Sequence, residues 1–100
     1  MMNARPSMSI SFQHRAKLPQ EVLLSGLQNE SVILNLVNER YYGLEEVGTR
    51  MLAVLTTSPT IEAAYQTLLD EYEVEPERLR QDLAALVEQL AKEGLVEITE

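Results

Sequence analysis

Cysteine is absent from this chain of 100 residues. Without it the protein can form no disulfide framework, no zinc–thiolate site and no thiol nucleophile. Apolar runs are short: none approaches the roughly 20 residues that a helix needs to cross a bilayer, and the N-terminus lacks the apolar core of a secretion signal. Since 100 residues suffice for one domain and not two, the sequence predicts a single small domain in the cytoplasm.

Catalytic motifs are missing as well. The sequence contains no glycine-rich loop of the kinds that bind dinucleotides or triphosphates, and no nucleophile elbow. Its single histidine, His14, lies between Gln13 and Arg15, which offer no partner for a base or a metal ligand. The acidic run 71–75 lacks the glycine and the ligand spacing of a calcium loop. We therefore expect a protein that is not an enzyme, with no catalytic residue, no metal site and no cofactor.

Basic residues are scarce and unevenly placed. The chain has 8 Lys and Arg against 16 Asp and Glu, a formal net charge of -8. All carboxylates lie from Glu21 onward, where the cations are Arg40, Arg50, Arg78, Arg80 and Lys92. A surface of this charge repels phosphate backbones and favours basic partners. We therefore expect neither a nucleic acid nor a membrane as a partner.

Three strands are predicted in the first half of the chain, at Glu21–Leu27, Ser31–Val37 and Arg40–Leu44. The polar segments between them, Gln28–Glu30 and Asn38–Glu39, suit tight turns, so the strands should form an antiparallel meander. In the third strand, the alternation of side chains predicts Tyr42 in the core and Tyr41 partly exposed.

Residues 1–18 precede these strands and show no sustained period. We interpret them as a flexible N-terminal arm. Within it, the alternating segment Ser9–Phe12 fits either a short strand or a segment that packs late. Residues 19–100 should then form the folded domain.

Three amphipathic helices are predicted after the strands. Glu45, the N-cap Thr60 and Pro76 mark their starts, and Gly94 ends the third. The apolar stripe of the first helix consists of Val47, Met51, Val54 and Leu55. The segment Leu95–Ile98 allows a short closing strand.

This order of elements predicts an α+β fold, in which a three-stranded antiparallel sheet is followed by three helices, and it resembles a winged helix-turn-helix. The outline leaves a DNA-binding regulator as an alternative. A recognition helix needs Arg, Lys, Asn or Gln on its outer face. The third helix instead balances its three cations with four carboxylates, Glu77, Asp82, Glu88 and Glu93. The charge therefore ranks DNA binding below a peptide or protein partner.

One charged pair lies at the margin of the third helix's apolar face. Arg78 and Asp82 are one turn apart, and Leu86 follows one turn later. The pair is either an ordinary surface ion pair or a charged lip beside an apolar groove, and the sequence leaves both open.

Three stretches of the chain resemble the PqqD-like family: 36–48 (LVNERYYGLEEVG), 71–83 (EYEVEPERLRQDL) and 90–96 (LAKEGLV). Members of that family are recognition elements for ribosomally made, post-translationally modified peptides, and the resemblance covers roughly residues 20–98. It implies a non-catalytic chaperone that binds the leader of a precursor peptide and presents it to a separate enzyme. The leader would add a strand to the third strand of the sheet, against the third helix.

A strand at the edge of a sheet has unpaired backbone groups, which suits this mode of binding. Side-chain pockets would supply the specificity, with Tyr41 and Gly43 on the strand and leucines on the helix. The peptide-binding residues that we expect are Arg40, Tyr41, Tyr42, Gly43, Leu44, Arg78, Leu79, Asp82, Leu83 and Leu86.

The third strand has the sequence Tyr-Tyr-Gly-Leu at 41–44. This motif resembles the stand-alone proteins of lasso-peptide systems more than the family members dedicated to pyrroloquinoline quinone. It favours a leader protease and cyclase of lasso-peptide assembly as the partner enzymes, with a radical SAM enzyme as the alternative. A scaffold that joins enzymes without touching the peptide is a further hypothesis, because a small acidic domain alone would fit it.

Overall fold

The computed structural model describes residues 10–27 and 29–100. Its elements are β1 (Arg15–Lys17), β2 (Val22–Leu27), β3 (Glu30–Asn35), β4 (Tyr41–Leu44), α1 (Glu46–Thr57), α2 (Ile61–Glu71), α3 (Pro76–Lys92) and β5 (Glu97–Thr99). An antiparallel sheet in the order β2-β3-β4 is followed by three helices, which confirms the predicted α+β fold. Residues 1–9 of the predicted arm and Gln28 of the first predicted turn lie outside the described residues.

The hairpin between β3 and β4 differs from the predicted one. The strand that was expected to reach Val37 ends at Asn35. The strand ends early because Asn35 Oδ1 accepts hydrogen bonds from the backbone N–H groups of Val37 (2.9 Å) and Asn38 (3.1 Å), which turn the chain. Glu39 then adopts a positive φ of 63°. The turn is therefore longer than the two residues predicted.

The inner face of the sheet packs on α1 and α3 through one hydrophobic cluster. Ile33 and Leu44 of the sheet are buried there with Leu52 of α1 and Leu90 of α3. The buried hydroxyl of Ser31 is satisfied at the end of this face by Thr49, whose Oγ1 lies 2.8 Å from Ser31 Oγ. Both β3 and β4 are thereby held on the helical layer.

A second cluster lies between the three helices and the N-terminal segment. Described residues of the predicted arm contribute to it, since Phe12 and Ala16 are buried in this cluster. β1 pairs antiparallel with β5, so that Ala16 lies opposite Ile98. The Arg80 guanidinium stacks 4.2 Å from the centre of the Phe12 ring, which adds a cation–π contact to the burial.

The helix signals in the sequence are largely confirmed. The Thr60 side chain accepts a hydrogen bond from the Ala63 N–H at 3.0 Å, as an N-cap does, and Gly94 ends α3 with a φ of 75°. The predicted stripe of α1 is wrong at Val47, which is exposed, whereas Leu52 is buried. α1 packs on the sheet through Leu52 and on the helical cluster through other residues, so its buried face is wider than one stripe.

Candidate functional site

β4 forms an edge of the sheet, with β3 on one side only among the described residues. The Asn35 N–H donates to the Arg40 carbonyl at 2.8 Å. Asn35 and Arg40 are therefore a hydrogen-bonded pair, and the pairs that follow along β3 and β4 can be assigned from it. Because hydrogen-bonded and non-bonded pairs alternate in an antiparallel sheet, Tyr42 and Leu44 bond to β3. The N–H and C=O groups of Tyr41 and Gly43 therefore face away from the sheet, toward the open edge.

Side chains leave this edge accessible. A Cβ added at Gly43 would meet no heavy atom of the described residues within 4 Å, so the outer face is open at this point of the strand. Tyr41 is strongly exposed, more than the partial exposure predicted. Tyr42, predicted in the core, is partly buried and packs against the inner cluster. Within residues 10–27 and 29–100, the outward backbone groups of β4 are therefore open to an extended peptide.

α3 lies beside the start of β4. Arg40 Nη1 is 3.1 Å from Glu93 Oε1 at the end of α3, and Glu93 Oε2 accepts from Gln89 Nε2 at 3.2 Å. Leu86, one turn before Gln89, is partly buried against the same cluster as Tyr42. We call the surface between β4 and the α3 residues Leu86 and Gln89, together with Glu93 just after α3, the β4–α3 surface.

The remaining predicted site residues lie apart from it or beneath the surface. Leu79 and Leu83 are buried in the helical cluster. Arg78 and Asp82 form the predicted ion pair, with Arg78 Nε 3.4 Å from Asp82 Oδ2, and both side chains are largely exposed near the start of α3. The structure therefore brings Tyr42, Leu44 and Leu86 together in one hydrophobic cluster, and the ion pair of Arg40 with Glu93 lies beside it. Arg78 and Asp82 stay on the surface of the helix.

Comparison with known proteins decides the family. Residues 30–96 match the family described as Coenzyme PQQ synthesis protein D (PqqD). The chain belongs to the PqqD family. The match runs from the first residue of β3 to just before β5, and it includes all ten predicted site residues. No curated protein matches the chain at a significant level.

Two solved structures resemble this PqqD-family chain. One is TbiB1 in complex with the TbiA(beta) leader peptide, with a TM-score of 0.75 and 28% sequence identity over 81% of this chain and 94% of that one. The other is a lasso peptide synthetase B1 complexed with the leader peptide, with a TM-score of 0.67 and 24% identity over 83% and 98% of the two chains. The second likeness shows the fold alone.

Asn35 lies beside the candidate site, and sequence reasoning missed it. It is buried, and besides holding the turn it donates from Nδ2 to the carbonyl oxygen of Gly94 at 2.9 Å. Asn38 adds a longer hydrogen bond of 3.5 Å to the carbonyl oxygen of Glu93. A polar residue on the buried face of the most apolar strand was the available signal. These bonds fasten the β3–β4 hairpin to the end of α3.

Charge around the site is acidic. Glu30, Glu39 and Glu45 are exposed at the ends of the strands. Two carboxylates with a lowered pKa lie elsewhere, on the helical layer. A hydrogen bond from Arg50 lowers the pKa of Glu71, and hydrogen bonds from Gln66 and, more weakly, from Arg80 lower the pKa of Glu62. Residues 10–27 and 29–100 hold no cluster of potential metal ligands, and no helix there is long and apolar enough to cross a bilayer.

Proposed function

We propose that this PqqD-family chain binds the leader region of a ribosomally made precursor peptide and presents it to a separate enzyme. The observation that carries the proposal is its likeness to TbiB1, a protein solved with a leader peptide, over 81% of this chain. The free edge of β4 is consistent with such a ligand. Because precursor peptides leave the ribosome in the cytoplasm, we place the step there.

The leader would bind as a fourth strand of the sheet. Its backbone would pair with the outward N–H and C=O groups of Tyr41 and Gly43, which gives affinity without a sequence requirement. Alternate leader side chains would point toward Leu86 and Tyr42 on the β4–α3 surface, and these contacts would supply selectivity. Arg40, held by Glu93, would border the surface at one end.

We favour an enzyme of lasso-peptide assembly, a leader protease together with a cyclase, as the recipient of the leader. A solved relative of the same fold is called a lasso peptide synthetase B1, which supports this choice. A radical SAM enzyme of peptide maturation, including that of pyrroloquinoline quinone, is the second candidate, because the family's own description concerns that coenzyme. In either case the chain would act as a recognition partner and not as the catalyst.

Calorimetry with a synthetic leader tests the function. The peptide should come from the precursor gene beside this gene, and the control should be the same residues in scrambled order. We expect saturable binding of the leader well below the millimolar range and none of the scrambled peptide. Absence of binding would refute the proposal, and turnover of the precursor by this chain alone would refute its non-catalytic part.

A duplex-binding assay distinguishes the proposed leader binding from the alternative of a DNA-binding regulator. A winged-helix regulator would bind DNA with an affinity that falls steeply as salt rises, since phosphate contacts release counterions. We expect no such binding, because the excess of carboxylates repels the phosphate backbone. Tight duplex binding at moderate salt would favour the regulator.

A further inference from the structure

The outer face of the β2-β3-β4 sheet carries apolar side chains that no described residue covers. Leu23, Val32 and Tyr41 are exposed on this face, and Leu36 is exposed in the turn after β3. They lie in register, since Leu23 pairs with Leu34 and Leu34 with Tyr41, while Ser25 pairs with Val32 and Val32 with Gly43. Contiguous apolar surface of this kind marks an interaction site more often than scattered single residues do.

A cavity of about 340 Å³ opens into the same face beside β4. It is lined by Ser25, Glu30, Ser31, Val32, Gly43, Leu44 and Glu45. Gly43 contributes no side chain and the Leu44 side chain is buried on the inner face, so the apolar part of the lining is Val32, and the carboxylates of Glu30 and Glu45 lie beside it. A long side chain with an apolar stem and a cationic tip, lysine or arginine, matches this arrangement.

Carboxylates also surround the face at the ends of the strands. Glu21 precedes β2, Glu30 begins β3, Glu39 lies in the β3–β4 turn and Glu45 follows β4, and all four are exposed. Arg40 is the one cation between residues 21 and 46, and Glu93 holds it. The face therefore combines an apolar centre with an acidic rim.

We propose that this outer sheet face docks the enzyme that receives the leader, through a partner surface with an apolar centre and a rim of lysine and arginine. The inference rests on the proposed function. A second copy of the chain is disfavoured as the occupant, because each copy has a net charge of -8 and would bring a carboxylate rim against its like. An anionic lipid surface is repelled for the same reason.

The docking face is continuous with the leader edge. A leader residue paired opposite Gly43 would have its side chain on the outer face, because directly opposed residues in neighbouring strands share a face. An enzyme on this face would then touch the leader as well as the domain. We expect it to bind the leader-loaded protein more tightly than the free protein.

Paired substitutions in β2, the strand farthest from the leader edge, test the proposal. Leu23 and Leu24 are neighbours of the same type with exposed fractions of 52% and 40%, on opposite faces of the sheet. The probe is the purified leader protease from the neighbouring gene. We expect Leu23→Ser to weaken its binding at least tenfold, and Leu24→Ser to change it by less than twofold, with circular dichroism confirming that both variants are folded.

A second pair checks the centre of the face. Val32 is 46% exposed on it, while Val74 is 43% exposed in the link between α2 and α3. Val32→Ser should weaken enzyme binding as Leu23→Ser does, and Val74→Ser should not. The double substitution Glu30→Lys/Glu45→Lys should also weaken binding, whereas Glu73→Lys/Glu75→Lys, with the same net charge, should leave it unchanged.

Leader titrations on the same variants separate this inference from the proposed function. One outcome would refute the docking face alone: the unmodified chain and Leu23→Ser bind the leader equally, and neither Leu23→Ser nor Val32→Ser changes the affinity for the enzyme. The proposed function would then stand. If the leader never binds while enzyme binding depends on Leu23, the function is wrong and the docking surface stands. A dimer in sedimentation that Leu23→Ser dissociates would assign the face to a second copy and overturn the proposal.

Discussion

Asn35 and Gly94 are 59 residues apart in sequence, and the Asn35 side chain joins them by a hydrogen bond of 2.9 Å to the Gly94 carbonyl oxygen. The same amide holds the β3–β4 turn through its oxygen. One buried side chain therefore sets the conformation of the hairpin and also its position against the end of α3. Its removal should affect both.

Asn35→Ala should lower the free energy of unfolding by about 1–3 kcal/mol, because the Gly94 carbonyl and two turn N–H groups lose a partner in part-buried hydrogen bonds. Urea unfolding followed by circular dichroism measures the change. Asn38→Ala is the control: Asn38 is exposed, and water can replace its bonds, so its loss should stay below about 0.5 kcal/mol. Equal losses in the two variants would mean that the Asn35 bonds contribute nothing particular.

Gly43→Pro should cause a large loss of leader affinity while the fold is retained. The Gly43 N–H faces the open edge, so proline removes a bond donor for the leader and none for β3. Gly43→Ala is the matched control, since its Cβ would meet no heavy atom within 4 Å and its N–H is kept. Calorimetry with the leader should give near-normal affinity for alanine and little binding for proline. Normal binding by both variants would place the leader elsewhere.

Asp82→Ala separates the two interpretations of the pair with Arg78. As an exposed ion pair it should contribute less than about 1 kcal/mol to the free energy of unfolding. If Asp82 also meets a cationic leader residue, leader affinity should fall by about 1–3 kcal/mol, because that partner is left unpaired. Unfolding and leader titration of the same variant decide between them: unchanged affinity identifies a surface ion pair only.

Glu71 should make stability depend on pH. Its pKa is lowered from the ordinary value of 4.5, chiefly by the hydrogen bond from Arg50. A lowered pKa in the folded state contributes stability that is present above the unfolded-state pKa and is lost as pH falls through the folded-state pKa. Thermal unfolding below about pH 4.5 should therefore show a smaller loss of stability in Glu71→Gln than in the unmodified protein. In an Arg50→Gln background the difference should vanish, and its persistence would show that another partner holds Glu71.

Much of the fold was predictable because the hydrophobic period changes visibly at Leu44, and because Thr60, Pro76 and Gly94 mark helix ends by local chemistry. β1 was not predictable, since its three residues are too few to show a period and their partner strand lies at the far end of the chain. The end of β3 was missed for a different reason. In the sequence Asn35 continues the strand pattern, and only the structure shows that its side chain binds the backbone of the turn.

The site was predictable only in part. An edge strand with a glycine followed from the strand order, and its open backbone is where the sequence indicated. The sequence could not show which leucines of α3 are in the core and which lie at the surface beside β4. Helical spacing shows which residues share a face, but not whether the core or a ligand contacts that face. Leu79 and Leu83 belong to the core, whereas Leu86 lies beside β4. Their roles in peptide binding remain predictions, as does that of Arg78.

The bonds that fasten the hairpin to α3 all lie at one end of the β4–α3 surface. Asn35, Asn38 and Arg40 reach Glu93 and Gly94 there, whereas at the other end the Leu44 carbonyl is bonded by Thr49 of α1. The spacing between β4 and α3 is thus fixed by direct hydrogen bonds beside Arg40, whereas beside Leu44 the hydrogen bond holds β4 to α1 and leaves α3 without a polar link to the strand among the described residues. We therefore expect tolerance of side-chain size to increase along the bound leader, from strict beside Arg40 to permissive beside Leu44.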